Sequence, residues 1–131
     1  MSRKRTPRPT DAELAILRVI WPLGEGTVRE IHEVLARRQP TGYTTVLKLL
    51  QIMHEKGLVE RDESERAHVY RAAKGQQKMQ RELVSDLLDR AFGGSMSALV
   101  VQALSSKKAS PAELDEIRHL LDELERTGGD R

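Results

Sequence analysis

Residues 27–73 constrain the fold more strongly than any other part of this 131-residue chain. They open with Thr27-Val28-Arg29-Glu30, a capping-box sequence that predicts the start of a helix running to about Arg38. The next four residues, 39–42, include Pro and Gly and predict a turn. Apolar residues at helical spacing then predict a second helix over 43–56. This order and spacing are typical of a helix-turn-helix.

Two short strands are expected after the second helix, near 58–61 and 68–71, with the charged residues 62–66 as the loop between them. Gly57 is a suitable residue to end the second helix. A hairpin directly after a helix-turn-helix makes a winged variant of that motif. The predicted fold class is therefore mainly α with a small β-hairpin wing, a winged helix-turn-helix followed by an all-α dimerisation region.

The second predicted helix has one apolar and one polar face when successive residues are placed about 100° apart. The apolar sector holds Val46, Leu49, Leu50 and Met53. Hydroxyl groups and a long cation near the start of the polar face can hydrogen-bond bases or phosphates in the major groove of DNA, and a helix N-terminus favours an anion. The candidate DNA-binding residues of the turn and helix are Thr41, Tyr43, Thr44, Thr45, Lys48 and Gln51.

Basic residues on either side of the helix pair add further candidate contacts. In the wing, we expect Arg66 and His68 to contact the DNA backbone while the acidic tip stays in solvent. Residues 1–9 are expected to form a flexible basic arm, in which Arg5 and Arg8 are candidates for phosphate or minor-groove contact; a solvated tail is the alternative. Residues 1–75 carry 14 Lys/Arg against 10 Asp/Glu, whereas the remaining residues carry 8 against 10, so the basic half is the half with the helix pair.

The composition excludes several classes of site. The chain has no Cys, which excludes disulfides, thiolate metal sites and Cys nucleophiles. His32-Glu33 and His54-Glu55 begin like the zinc motif H-E-x-x-H, but the fifth positions are Ala36 and Leu58. We therefore expect no metal, no cofactor and no enzymatic activity. The longest nearly apolar run, 98–104, is far shorter than the ~20 residues of a membrane span, so no membrane contact and a cytoplasmic protein are expected.

A first helix is predicted over 11–21, capped by Thr10-Asp11-Ala12-Glu13 and stopped by Pro22-Leu23-Gly24. Its expected inward residues are Leu14, Leu17, Ile20 and Trp21. The expected domains are the arm (1–9), the winged helix-turn-helix (10–75), a helical dimerisation domain (76–127) and a disordered tail (128–131).

Beyond residue 75, apolar periodicity predicts helices throughout, the second capped by Ser95 and the third by Ser110-Pro111-Ala112-Glu113. The fifty-odd residues after residue 75 are too few to bury this much apolar surface in a core of their own. We expect it to pair with a second copy of the chain; an intramolecular three-helix cap is the alternative. The expected dimerisation residues are Leu83, Leu87, Leu88, Phe92, Leu99, Val100, Leu104, Ile117, Leu121 and Leu124.

Several sequence blocks in combination resemble the penicillinase-repressor family, and the resemblance covers about residues 10–125. The blocks are Thr10-Asp11-Ala12-Glu13-Leu14, Trp21, Thr27-Val28-Arg29-Glu30, Tyr43-Thr44-Thr45-Val46, Lys56-Gly57-Leu58-Val59, Arg66-Ala67-His68-Val69-Tyr70 and Phe92-Gly93-Gly94-Ser95. That family includes the repressors of β-lactamase and methicillin-resistance genes and the copper-responsive repressors.

The resemblance implies a homodimeric transcriptional repressor whose winged helices bind a palindromic operator in double-stranded DNA. It also implies relief by an activating protease that cuts the dimerisation region, in a cascade begun by a membrane sensor of β-lactam. The penicillinase repressors are cut at an Asn-Phe bond, and the candidate position here is Gln102-Ala103, which departs from that pattern. The copper-responsive members carry a C-terminal Cys motif that this chain lacks, so copper sensing by that route is not expected.

A winged helix that binds another protein and never reads bases is the alternative function. Exposed Leu or Phe on the second helix of the pair would have favoured that alternative. Thr44, Lys48 and Gln51 favour DNA.

Overall fold

The computed structural model describes residues 8–128, which form two compact units that divide between Val84 and Ser85. The first unit holds α1 (Asp11–Leu23), β1 (Gly26–Thr27), α2 (Val28–Arg38), α3 (Tyr43–Lys56), β2 (Val59–Asp62) and β3 (Val69–Ala72). α4 (Gln76–Phe92) begins in the first unit and ends in the second, which also holds α5 (Met96–Ser106) and α6 (Pro111–Gly128). The arm residue Arg5 and the last three residues of the expected tail lie outside the described residues.

α1 and α2 begin where their capping boxes predict. The Thr10 hydroxyl accepts from the Glu13 N–H at 3.2 Å, and the Glu13 carboxylate accepts from the Thr10 N–H at 2.9 Å. Thr27 and Glu30 repeat both bonds at the same distances. Each reciprocal pair satisfies two N–H groups that have no partner inside the helix, which is why the local sequence fixes these two helix starts.

The end of α1 differs from the prediction, because the helix continues through Pro22 to Leu23. Pro22 is the next-to-last residue of the helix and lacks the N–H that would donate to the Arg18 carbonyl, so the helix forgoes that one bond. Gly24 then ends the helix, with a φ of 84° and its N–H donating to the Ile20 carbonyl at 2.7 Å. The positive φ, which favours glycine, is the actual stop signal.

α1 is also buried on a wider face than predicted. Its buried residues are Glu13, Ile16, Leu17, Val19 and Ile20. The expected inward residues Leu14 and Trp21 are only partly buried. The reason is that α1 packs against α2, α3 and β3 at once, so a single stripe of inward positions does not describe it.

The three strands form one antiparallel sheet in the order β1-β3-β2. In the hairpin, Val59 pairs with Ala72 and Asp62 with Val69, one residue later on each strand than predicted. The shift arises because the Leu58 N–H donates to the Met53 carbonyl at 2.8 Å and so still belongs to the end of α3. β1 was not predicted; its two residues show no alternation that a sequence pattern could reveal.

The core of the first unit is aliphatic except for Tyr70 on β3, and it draws on all three helices and the hairpin. Met79 of α4 is buried in it, and Leu83 packs against it. Trp21 adds a polar link, since its indole N–H donates to the Lys74 carbonyl at 3.1 Å. The first turns of α4 are therefore part of the first unit.

The second unit differs from the first in how little of its apolar surface is buried. Neither α5 nor α6 has a buried residue. Large apolar side chains remain 43–67% exposed there: Leu87, Met96, Val100, Val101, Leu104, Leu120, Leu121 and Leu124. None of the helices in residues 8–128 combines the length and the apolarity that crossing a bilayer requires.

Candidate nucleic-acid interface

α3 presents a polar face to solvent because most of its apolar face packs on the core; of the predicted apolar sector only Leu49 is partly exposed. Val46, Leu50 and Met53 each have no exposed surface. On the other side of the helix, Thr44, Thr45, Lys48 and Gln51 are all exposed. Within residues 8–128, the Lys48 ammonium has no ion-pair or hydrogen-bond partner, so its charge is available to a ligand. This face has the composition and the width of a helix face that can enter a major groove.

The N-terminus of α3 lacks the side-chain cap that α1 and α2 have. Its N-cap residue is Gly42, and no side chain of the described residues accepts from its first turn. The first turn also contains no acidic residue. Since the first N–H groups of a helix have no acceptor inside it, this end of α3 offers donors and a partial positive charge to an anion such as a phosphate.

His32 of α2 holds the turn that precedes α3. Its Nε2 lies 2.7 Å from the carbonyl oxygen of Thr41, and its ring meets the ring of Tyr43 edge to face, with centroids 5.8 Å apart. Tyr43 is 47% exposed, whereas Thr41 is partly buried. His32 was not among the residues predicted from the sequence to act in DNA binding. The available signal was its place beside the buried Ile31 and one turn before Leu35, at the border of the inward face of α2.

Two arginines of the wing form ion pairs with glutamates of the wing. Arg61 lies 2.6 Å from the Glu63 carboxylate, and Arg71 lies 2.9 Å from that of Glu60. Hydrogen bonds with Tyr70 and Glu63 raise the pKa of Arg61, and the Arg61 guanidinium lowers the pKa of Glu63 in turn. Both arginines are therefore engaged with acids, which leaves them poorly placed to neutralise a phosphate.

Asp62 is held at the same tip by its own local bonds. The Ser64 N–H donates to its carboxylate at 2.9 Å and lowers the pKa of Asp62.

Among the candidate cations, Arg66 is exposed and has no ion-pair or hydrogen-bond partner in residues 8–128. His68 is partly buried. Arg8, at the start of the described chain, is exposed.

The expected dimerisation residues divide into two groups by exposure. Five are exposed: Leu87, Val100, Leu104, Leu121 and Leu124. The other five are partly buried: Leu83, Leu88, Phe92, Leu99 and Ile117. Four further apolar side chains of α4, α5 and α6, outside that list, are also exposed: Val84, Met96, Val101 and Leu120. The candidate cleavage residues Gln102 and Ala103 are exposed and lie on α5.

Among residues 8–128, the histidines and acids do not assemble a metal site. In the described part of the chain, no three His, Asp or Glu side chains are grouped so that they could hold a metal ion. His119 is exposed on α6, where its Nδ1 lies 2.8 Å from the Asp115 carbonyl oxygen.

Known proteins share this arrangement. A solution structure of the DNA binding domain of the repressor BlaI superposes with a TM-score of 0.50 at 24% identity, over 56% of this chain and 90% of that domain. The likeness confirms the predicted fold class of the first unit.

Sequence relatives extend over almost the whole chain. The transcriptional regulator BlaI of Mycobacterium tuberculosis is 35% identical over 123 residues, which cover 92% of this chain and 88% of that protein. The penicillinase repressor of Bacillus licheniformis is 23% identical over 120 residues, 92% of this chain and 94% of that protein. The profile of the family described as Penicillinase repressor matches residues 9–123. The chain therefore belongs to the penicillinase-repressor family of transcriptional regulators, as its sequence blocks predicted.

Proposed function

We propose that the protein is a transcriptional repressor that binds a palindromic operator as a homodimer and reads its bases with α3. The observation that carries the proposal is the construction of α3 itself. One face packs on the core through the buried Val46, Leu50 and Met53, the opposite face is polar and exposed, and the N-terminus has no side-chain cap. Family membership supports the same function, because the relatives are named as repressors and transcriptional regulators.

The chemistry of the exposed face suits base edges. Thr44 and Thr45 can donate or accept one hydrogen bond each and can place a methyl group against that of thymine. Lys48 can donate to the acceptors of guanine, and the Gln51 amide matches the donor–acceptor pair of adenine. Glu55 lies toward the other end of α3, where its charge is farther from a duplex that approaches the N-terminus.

The phosphate backbone has its own donors. The uncapped first turn of α3 offers backbone N–H groups, and the unpaired Arg66 offers a guanidinium from the wing. We assign no backbone contact to Arg61 or Arg71, since each already pairs with a glutamate. Arg66 and the α3 N-terminus would fix the register of the protein, while the side chains of α3 specify the sequence.

A second copy of the chain is the proposed partner of the second unit. Removing apolar surface from water is worth about 25 cal/mol per Å², and α5 and α6 leave all of their large apolar side chains at least partly uncovered. Pairing would bury that surface and would also join two reading helices. Each subunit would then bind one half-site of a palindromic operator, and the two weak contacts together would give a high affinity. The proposed domains are 10–75 for DNA binding and 76–127 for dimerisation, although the first turns of α4, as far as Val84, pack in the first unit.

Relief of repression by an activating protease fits the position of Gln102-Ala103. In the single chain both residues are exposed on α5, a helix without a buried residue. A cut there would divide the apolar surface that we assign to the dimer. We assign the protein no catalytic step, and we place its action in the cytoplasm, where bacterial DNA is found.

The second candidate function, a winged helix that binds another protein, lacks a supporting surface on α3. Its only large exposed apolar side chain is Tyr43.

Equilibrium binding by fluorescence anisotropy tests the proposal. The probe is a labelled duplex from the region upstream of the protein's own gene, and the control is a duplex of the same base composition in shuffled order. We expect tighter binding to the upstream duplex by at least a hundredfold, and an affinity that falls as salt rises. Equal affinity for both duplexes across the upstream region would contradict it.

A further inference from the structure

His32 links the two helices of the helix-turn-helix through two separate contacts. Nε2 lies 2.7 Å from the Thr41 carbonyl oxygen in the turn, and the imidazole meets the ring of Tyr43, the first residue of α3, edge to face. The planes of the two rings are inclined by 78°. One side chain on α2 therefore contacts both the turn and the residue with which α3 begins.

The hydrogen bond determines where the histidine carries its proton. A carbonyl oxygen can only accept, so Nε2 must be the protonated nitrogen. The neutral Nε2–H tautomer and the imidazolium cation both meet this requirement, whereas the neutral Nδ1–H tautomer does not. The contact therefore makes a spectroscopic prediction that is independent of any DNA measurement.

The Thr41 carbonyl cannot be satisfied by the helix that follows it. α3 has its N-cap at Gly42, whose carbonyl accepts the first bond of the helix, from the Val46 N–H at 3.2 Å. Thr41 lies one residue earlier. The Thr41 hydroxyl bonds to the Gln39 carbonyl at 3.2 Å, which is within the turn and does not attach it to α2. The His32 bond supplies that attachment.

Tyr43 gains a fixed direction from the same histidine. Its ring is 47% exposed, so it has few neighbours to select one side-chain rotamer. The edge-to-face contact restricts the ring on the side that faces α2 and leaves the phenol free to meet solvent or a ligand. A phenol held in one direction at the start of a reading helix can hydrogen-bond a phosphate or a base edge without first losing rotamer freedom.

We infer that His32 is a positioning residue for DNA binding, which holds the turn through Thr41 and aims the phenol of Tyr43 at the duplex. The inference rests on the proposed function, and it adds a residue that does not itself touch DNA. It gives each contact of His32 a separate role. The N–H bond fixes the start of α3, and the ring contact fixes Tyr43.

The variants separate these roles. His32→Gln keeps an N–H donor of similar reach and removes the ring, His32→Phe keeps the ring and removes the donor, and His32→Ala removes both. His119→Gln is the matched control, because His119 also lies against a carbonyl oxygen but is on α6. Each variant is titrated against the preferred duplex and the shuffled duplex, alone and combined with Tyr43→Ala.

We expect His32→Ala to weaken binding to the preferred duplex roughly tenfold and binding to the shuffled duplex less than twofold. His32→Gln and His32→Phe should each retain part of the affinity. In a protein that already carries Tyr43→Ala, His32→Gln should not weaken binding further. If His32→Gln acted only by lowering the stability of the fold, it would weaken binding with or without Tyr43. The His119→Gln control should bind like the wild type.

If the wild type prefers the upstream duplex over the shuffled one and His32→Ala shows the same preference, the positioning role is overturned and the proposed function stands. Absence of selectivity in the wild type would overturn both. Long-range ¹H–¹⁵N correlation on the unmodified protein covers the case in which a variant does not fold. It should show the His32 proton on Nε2, and the Nδ1–H tautomer would contradict the inference.

Discussion

The ammonium of Lys56 lies 2.9 Å from one carboxylate oxygen of Glu13 and 3.0 Å from the other. The pair joins the first turn of α1 to the last residue of α3. The Glu13 side chain is only 2% exposed, and it also accepts from the Thr10 N–H at 2.9 Å. A single buried carboxylate therefore caps one helix and fixes the far end of the proposed reading helix.

Glu13→Gln should destabilise the first unit, because it removes the charge that compensates Lys56 and weakens the cap of α1. We expect a loss of about 1–3 kcal/mol in the free energy of unfolding, below the full cost of breaking a buried ion pair since Lys56 is partly exposed. Urea unfolding at neutral pH measures the loss. The control is Glu30→Gln, which changes the equivalent cap on α2, where no lysine is paired, and should cost less.

Acid should remove the contribution of Glu13 to stability. Burial alone would raise the pKa of Glu13, but the bonds from the Thr10 N–H and the Lys56 ammonium outweigh it and hold that pKa below its ordinary value of 4.5. The unfolded chain then binds the proton more tightly than the folded one. The stabilisation is complete above about pH 5 and is lost as pH falls through the folded pKa. The difference in unfolding free energy between wild type and Glu13→Gln should therefore shrink between pH 5 and pH 3. A constant difference would rule out the assigned charge state.

Trp21→Phe should weaken the attachment of α4 to the winged helix. The substitution keeps an aromatic ring but removes the indole N–H that donates to the Lys74 carbonyl at 3.1 Å. We expect a loss of about 1 kcal/mol, the usual value of such a bond, measured by circular dichroism because the only Trp is lost. Phe92→Leu, an aromatic substitution later in α4, serves as the comparison and should leave the first unit unchanged.

Lys48→Ala and Thr44→Ala should each weaken operator binding by about 1–3 kcal/mol without changing the fold. Both side chains are exposed, so neither contributes to the core. Lys78→Ala removes the same charge from an exposed position on α4 and is the matched control. Titrations at several salt concentrations separate the loss of a phosphate contact, which reduces the salt dependence of binding, from the loss of a base contact, which does not. A Lys78→Ala effect equal to that of Lys48→Ala would mean that net charge, not the face of α3, controls binding.

Leu121→Glu should convert the dimer to a monomer, because it places a charge in the apolar face of α6 that we assign to the partner. Leu121 is 54% exposed in the single chain, so the isolated chain should tolerate the change. Sedimentation velocity should show the mass of one chain, and operator affinity should fall sharply with the loss of bivalency. Glu116→Ala, on the polar side of α6, should remain dimeric. A wild-type protein that sediments as a monomer at micromolar concentration would contradict the assignment.

Local chemistry explains which parts of the fold could be predicted. The starts of α1 and α2 follow from reciprocal bonds within four residues, and the end of α3 follows from a glycine with a φ of 83°. β1 could not be predicted, because Gly26 and Thr27 become a strand only by pairing with Tyr70 and Val69. The last two residues of α1 were also missed: Gly24 was part of the predicted stop, but the helix continues from Trp21 through Pro22 to Leu23 before it ends.

The candidate site divides in the same way. The exposure of Thr44, Lys48 and Gln51 follows from helical periodicity, so the sequence predicted it. The His32 contact with Thr41 depends on how α2 and the turn fold against each other, and periodicity carries no information about it. The burial of Glu13 was missed for a related reason: its partner Lys56 is 43 positions away in the chain. Charged residues are expected at the surface unless a distant partner is known.

The central claim is that two copies of α3 read the two halves of one symmetric operator, and hydroxyl-radical footprinting of the upstream duplex tests it most directly. We expect two protected blocks related by a dyad, with centres about one helical turn or a multiple of it apart. Both blocks should appear together as protein is added, and both should require a higher protein concentration with Lys48→Ala. A single protected block, or uniform protection without a boundary, would contradict the claim.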